Sequence, residues 1–213
     1  MAAQLTALSI MQDVPVIPVI VLRDVDHAVS MAKALVAGGI RVLEVTLRTP
    51  QGLPSIEAIA KAVPEAIVGA GTVRSAADAK AAAAAGARFA VSPGYTHSVG
   101  QACRDLALPL LPGVATSSEI MQAQEDGFNE LKFFPALQAG GLNMLKAWQG
   151  PFGEVRFCPT GGITPANAPE FLALKNVVCV GGSWLVPTDT LERGDWEHIT
   201  MLAREAAALP RKD

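Results

Sequence analysis

Apolar and polar positions follow two alternating periods along this chain. Short apolar or β-branched runs begin near Val14, Arg41, Ala66, Ala87, Pro109, Glu130, Val155 and Val177, one every twenty-odd residues. Such short runs, bounded by turn formers, predict strands. Between them lie stretches with helical spacing: VDHAVSMAKALVAGG, SIEAIAKAV, SAADAKAAAAAGA, SSEIMQAQEDG, GLNMLKAWQG and TPANAPEFLAL. Several end at glycine, the usual C-terminal stop. In ITPAN the pattern predicts Thr164 as N-cap with Pro165 in the first helical position. QLTALSIMQD predicts an extra helix ahead of the first strand, and AAAAAG reads as good helix with a small packing face.

Eight strand–helix units in about 200 residues predict a compact (β/α)8 TIM barrel, a single α/β domain over residues 1–213 with its extra N-terminal helix laid across one end. A doubly wound sheet is the competitor. It calls for a phosphate loop after the first strand, whereas the single GxG, in VGAGT at Val68 to Thr72, follows the third strand and lacks the third glycine.

Side-chain parity then sorts each strand, since successive residues face opposite sides. In RVLEVTLR, Leu43, Val45 and Leu47 share one side, which suits a helix layer; Glu44, Thr46 and Arg48 share the other. Three polar groups on an interior face are poor core and suggest a site, because barrel active sites sit at the strands' C-terminal ends. In ELKFFPA, Leu131 and Phe133 share one side and Glu130, Lys132 and Phe134 the other. Lys132 is either a solvated edge-strand lysine or an interior lysine walled by Phe134. A closed barrel has no edges and favours the second. A desolvated ammonium is disfavoured relative to the neutral amine. The neutral amine attacks carbonyls to give a Schiff base whose iminium withdraws electrons.

Glu44 can supply the carboxylate that moves protons in such chemistry, or form a structural salt bridge with Arg48 or Lys132; both can hold in the resting protein. Arg48 is either a bidentate clamp for a substrate carboxylate or a solvated strand-end arginine. Thr72 ends GAGT, whose glycines allow a ligand close to the backbone. Two glycine pairs close the chain, PTGGIT with Thr160, Gly161 and Gly162, and VGGSW with Ser183. Loops after the last two barrel strands commonly hold a phosphate on backbone N–H groups.

Composition narrows the partners. Half the residues are hydrophobic and 17% charged, enough for a large core, and a net charge of −3 argues against nucleic acid. Val14 to Leu22 is too short and proline-broken to span a membrane. The first ten residues lack a basic n-region and a long apolar core, against a signal peptide. Cys103, Cys158 and Cys179 are too few and too scattered for a disulfide framework or a CxxC metal site, so a cytoplasmic protein with reduced thiols is expected. His27, His97 and His198 form no metal-ligand spacing and read as surface or capping residues; no metal is expected. No GxSxG is present.

With EVTLR, GAGT, SPG, KFFPA, PTGG and GGSWL in this order, the chain resembles the 2-keto-3-deoxy-6-phosphogluconate aldolase family from about Val14 to the C-terminal helix. The resemblance implies a class I aldolase that releases pyruvate and glyceraldehyde 3-phosphate from a phosphorylated keto acid, without cofactor. It implies Lys132 as the Schiff-base lysine and Glu44 as general acid/base. Arg48 and Thr72 would hold the pyruvate carboxylate, while Pro93 and Phe134 line the pocket. Thr160, Gly161, Gly162 and Ser183 would contact the distal substrate and its phosphate. A homotrimer is the assembly the resemblance implies. Leu137 and Tyr95 depart from the family pattern in loops that bear on substrate preference. Cleavage of 4-hydroxy-2-oxoglutarate or of the 6-phosphogalactonate epimer uses the same lysine. A phosphosugar isomerase-type barrel or a non-catalytic phosphosugar-binding barrel would need only the glycine loops.

Overall fold

The computed structural model describes residues 5–211; Gln4, the first residue of the predicted N-terminal helix, lies outside the described residues. Helix α1 (Ala7–Asp13) begins at a capping box in which Thr6 and Ser9 satisfy each other's backbone N–H groups. In chain order follow β1 (Val16–Ile20), a 3₁₀ turn (Val25–His27), α2 (Ala28–Ala37), β2 (Val42–Thr46), α3 (Gly52–Ala62), β3 (Ile67–Gly71) and α4 (Ala76–Ala84). Then come β4 (Ala90–Val91), α5 (His97–Asp105), β5 (Leu110–Leu111), β6 (Gly113–Val114), α6 (Ser117–Glu125), β7 (Glu130–Phe133) and α7 (Gly141–Trp148). The chain closes with β8 (Arg156–Pro159), α8 (Ala168–Leu172), β9 (Val180–Gly182), α9 (Thr188–Glu192) and α10 (Trp196–Ala207).

All strand pairs are parallel, and they form two ladders: β5-β4-β3-β2-β1-β9 and β6-β7-β8. The predicted eight uninterrupted strands are thus an α/β fold with a divided parallel sheet. Proline accounts for the division. Pro112 splits the predicted fifth strand into β5 and β6, since it has no N–H for a ladder; its carbonyl still accepts the Lys132 N–H at 2.9 Å. Pro159 ends β8 in the same way, so β8 meets its other neighbour through single bridges, Phe157 with Val177 and Thr160 with Gly181.

The parity reading holds. Leu43 and Val45 are fully buried, and Phe133 packs edge-on against Trp148 of α7, ring centroids 5.0 Å apart. The apolar sides of β2 and β7 therefore belong to the helix layer, leaving Glu44 and Lys132 on the opposite face. Two helix expectations need correction. Helix α5 is missing from the helical stretches expected from sequence, because Gly100 interrupts its short apolar face of Val99, Ala102 and Cys103; that glycine is required because a Cβ there would meet Phe128 at 2.9 Å. Regular helix α8 starts at Ala168 rather than after Thr164, although Thr164 caps the preceding turn by accepting the Asn167 N–H at 3.4 Å.

The three cysteines are buried and unpaired by disulfides. Burial alone pushes the Cys103 thiol up to about 11. An acid held protonated in the folded chain but free to ionise when unfolded opposes folding at high pH. Stability is therefore expected to fall as pH rises from about 8.5, the free-thiol value, toward 11. In thermal melts at stepped pH, Cys103→Ala should lose Tm over that window less steeply than the parent chain; parallel slopes would contradict this.

Candidate active site

Glu44 on β2 and Lys132 on β7 stand in different ladders, yet their side chains meet: Lys132 Nζ donates to Glu44 Oε1 at 3.3 Å. The two residues are only 2% and 4% exposed. A buried ion pair costs desolvation and is weak evidence for stability. Here it joins an amine to a carboxylate inside the fold, an arrangement able to form a carbinolamine and move its protons. The Phe134 ring centroid lies 5.3 Å from Nζ, so an aromatic face walls the amine as parity predicted.

Gly71 makes room for the carboxylate, since a Cβ there would meet Glu44 Cγ at 2.6 Å. The glycines of GAGT accommodate neighbouring side chains, Gly71 that of Glu44 and Gly69 the Phe89 ring. Sequence alone does not reveal this, because the fitting partners lie on other parts of the chain. Thr46, third on the polar face, is structural: its Oγ1 donates to the Ile20 carbonyl at 2.9 Å.

Arg48 follows β2, and its Nε donates to Thr72 Oγ1 at 3.2 Å. Thr72 has φ +62, an outlier conformation for a β-branched residue. Its strain, about 1–3 kcal/mol, is of the kind that gathers at functional sites. A cavity of about 150 Å³ is lined by Arg48, Phe134, Thr160, Gly161, Gly162 and Ser183, all picked out by sequence. Val19, Ile163, Gly181 and Gly182 complete its wall and escaped individual notice, although GGSW marked the last two. Among the described residues, the N–H groups of Gly162, Ile163 and Ser183 donate to no protein acceptor, so the wall offers free donors to an anion.

Pro93 is placed differently. It does not line this cavity; its carbonyl lies against Gly113, the register partner of Lys132 on β6. Leu137 sits on the glycine loop, where a Cβ on Gly162 would meet its Cγ at 2.7 Å. Tyr95 instead donates its hydroxyl to Asp126, which also binds His97 Nδ1 at 3.0 Å. Those bonds hold the Asp126 carboxyl below the usual carboxylate range. A larger groove of about 580 Å³ along α2 and α10 shares no residue with the site. Among the described residues, no cluster of His, Cys, Asp and Glu could hold a metal ion, and no helix is long and apolar enough to cross a membrane.

Comparison with known proteins places this geometry. The model of the KDPG and KHG aldolase family matches residues 8–202. The KHG/KDPG aldolase of Escherichia coli K12 is 57% identical over 201 residues, 94% of each chain. The 2-dehydro-3-deoxy-phosphogluconate aldolase of Dickeya dadantii is 56% identical over 194 residues, 91% of each. Among solved structures, the KDPG aldolase of Legionella pneumophila, with pyruvate captured as a covalent carbinolamine, superposes with a TM-score of 0.94 at 46% identity, covering 97% of this chain and all of that one. A match of this extent, together with the paired lysine and glutamate, means that the chain belongs to the KDPG and KHG aldolase family.

Proposed function

We propose that this protein is a class I aldolase, a lyase that cleaves 2-keto-3-deoxy-6-phosphogluconate to pyruvate and glyceraldehyde 3-phosphate. The observation that carries the reading is the buried contact of Lys132 Nζ with Glu44 Oε1 at 3.3 Å, in a chain whose Legionella relative holds pyruvate as a carbinolamine. Lys132 attacks the C2 ketone, and Glu44 relays protons as the carbinolamine loses water to the iminium. Glu44 then takes the C4 hydroxyl proton as the C3–C4 bond breaks. Its electron pair passes into the iminium and leaves enamine-bound pyruvate with free aldehyde. Protonation at C3 and hydrolysis restore the amine. The iminium is the electron sink, so the chemistry asks for neither metal nor cofactor.

Arg48 and Thr72 hold the carboxylate, while Thr160, Gly161, Gly162 and Ser183 receive the distal hydroxyls and phosphate. Pro93 acts one step back, shaping β6 beside Lys132. Arg48→Lys keeps the charge but loses the planar fork, so KM for the keto acid should rise roughly tenfold with kcat little changed. Equal KM values would remove Arg48 from the carboxylate site. The two sheet ladders are read as one closed barrel of eight strands, with β5 and β6 as one strand broken at Pro112. The family resemblance supports a cytoplasmic homotrimer, for which sedimentation should give three times the 22.2 kDa chain mass.

Pyruvate release from 2-keto-3-deoxy-6-phosphogluconate, followed continuously, tests the activity; absence of turnover would refute it. A second substrate, 4-hydroxy-2-oxoglutarate, is favoured by the double name of the Escherichia coli relative and needs only the lysine, the glutamate and the carboxylate clamp.

A further inference from the structure

The loop after β8 is held by a side chain that no step of the reaction above uses. Gly161 and Gly162 both have left-handed backbone, φ +102 and +77, which glycine alone adopts readily. Asn167 grips the loop from the far side of the turn. Its Oδ1 accepts the Thr164 N–H at 2.8 Å, and its Nδ2 donates to the Gly162 carbonyl at 3.1 Å. With the Asn167 N–H on Thr164 Oγ1, the first of these bonds completes a capping box. A carboxylate could serve that box equally well. It has no proton for the Gly162 carbonyl, so the second bond requires an amide.

That second bond has a directional consequence. In a planar trans peptide, C=O and N–H point in opposite directions. Tying the Gly162 carbonyl to Asn167 therefore turns the next N–H, that of Ile163, away from Asn167. Ile163 lines the 150 Å³ cavity, and its N–H has no acceptor among the described residues.

We propose that Asn167 is a positioning residue that fixes the Gly162–Ile163 peptide for the substrate's distal phosphate, and so sets the preference for phosphorylated over unphosphorylated 2-keto acids. This rests on the aldolase reading above. Asn167 touches no substrate atom and acts through the peptide it holds.

The test compares Asn167→Ala and Asn167→Asp with the parent on 2-keto-3-deoxy-6-phosphogluconate and on 4-hydroxy-2-oxoglutarate. For the phosphorylated substrate, KM should rise about tenfold in both variants, the scale of one mispositioned hydrogen bond to an anion, with kcat within about twofold. Inhibition by inorganic phosphate should weaken in parallel. Turnover of 4-hydroxy-2-oxoglutarate should stay within about twofold of the parent, which also reports that the variants fold. Asn167→Asp retains the Thr164 bond, so a parent-like KM in that variant would overturn the role of the Gly162 contact. Equal losses on both substrates would overturn it too, by making Asn167 a general structural residue. A parent enzyme that turns over neither substrate would overturn the aldolase reading first, a result distinct from parent activity with unaltered variants.

Discussion

Lys132→Met is expected to lower kcat on the order of 10⁵-fold, as loss of a covalent nucleophile does when its partners act with it as a unit. The same change should destabilise the fold. It leaves the Glu44 carboxylate, whose side chain is 3% exposed, buried without its cation, a loss of about 3–5 kcal/mol near neutral pH. The two effects separate in the double variant. Lys132→Met with Glu44→Gln removes both charges, so urea denaturation should recover much of the lost stability while activity stays absent. Retained cleavage in Lys132→Met would mean that another amine forms the Schiff base, or none does. Failure of the double variant to recover stability would mean that the 3.3 Å contact contributes little to the folded state.

Glu44→Gln should lower kcat by about 10²–10⁴-fold, the usual contribution of a positioned general acid or base. Because Glu44 acts on protons and not on the substrate carboxylate, KM should change little. Covalent capture of pyruvate on Lys132 should persist at a reduced rate, since glutamine keeps the shape of the pocket. Steady-state kinetics and timed reductive trapping read these separately. Normal kcat would assign proton transfer elsewhere; normal kcat with raised KM would make Glu44 a binding residue.

Much of this site could be read from residue types and spacing, since the alternation that assigns faces within a strand depends only on local geometry. Leu131 and Phe133 against Glu130, Lys132 and Phe134 pointed to an interior lysine, and Lys132 is 4% exposed beside the Phe134 ring. Less legible were features fixed by contact between distant segments. Nothing near Gly71 states that its missing Cβ serves Glu44, and nothing near Pro93 places its carbonyl against Gly113. Prolines had local meanings that the strand rhythm concealed: Pro112 divides a strand whose hydrophobic pattern runs through it unbroken. Likewise Asn167 was visible only as part of a helix start, and its two-sided grip on the glycine loop emerges from the folded turn.

The most direct measurement of the central claim is borohydride reduction in the presence of pyruvate, followed by peptide mass mapping. A stable pyruvate adduct on the peptide that contains Lys132, and on no other, is the expected result. An adduct on a different lysine would retain Schiff-base chemistry but displace it from the Lys132–Glu44 pair. No adduct on any peptide would contradict the class I mechanism.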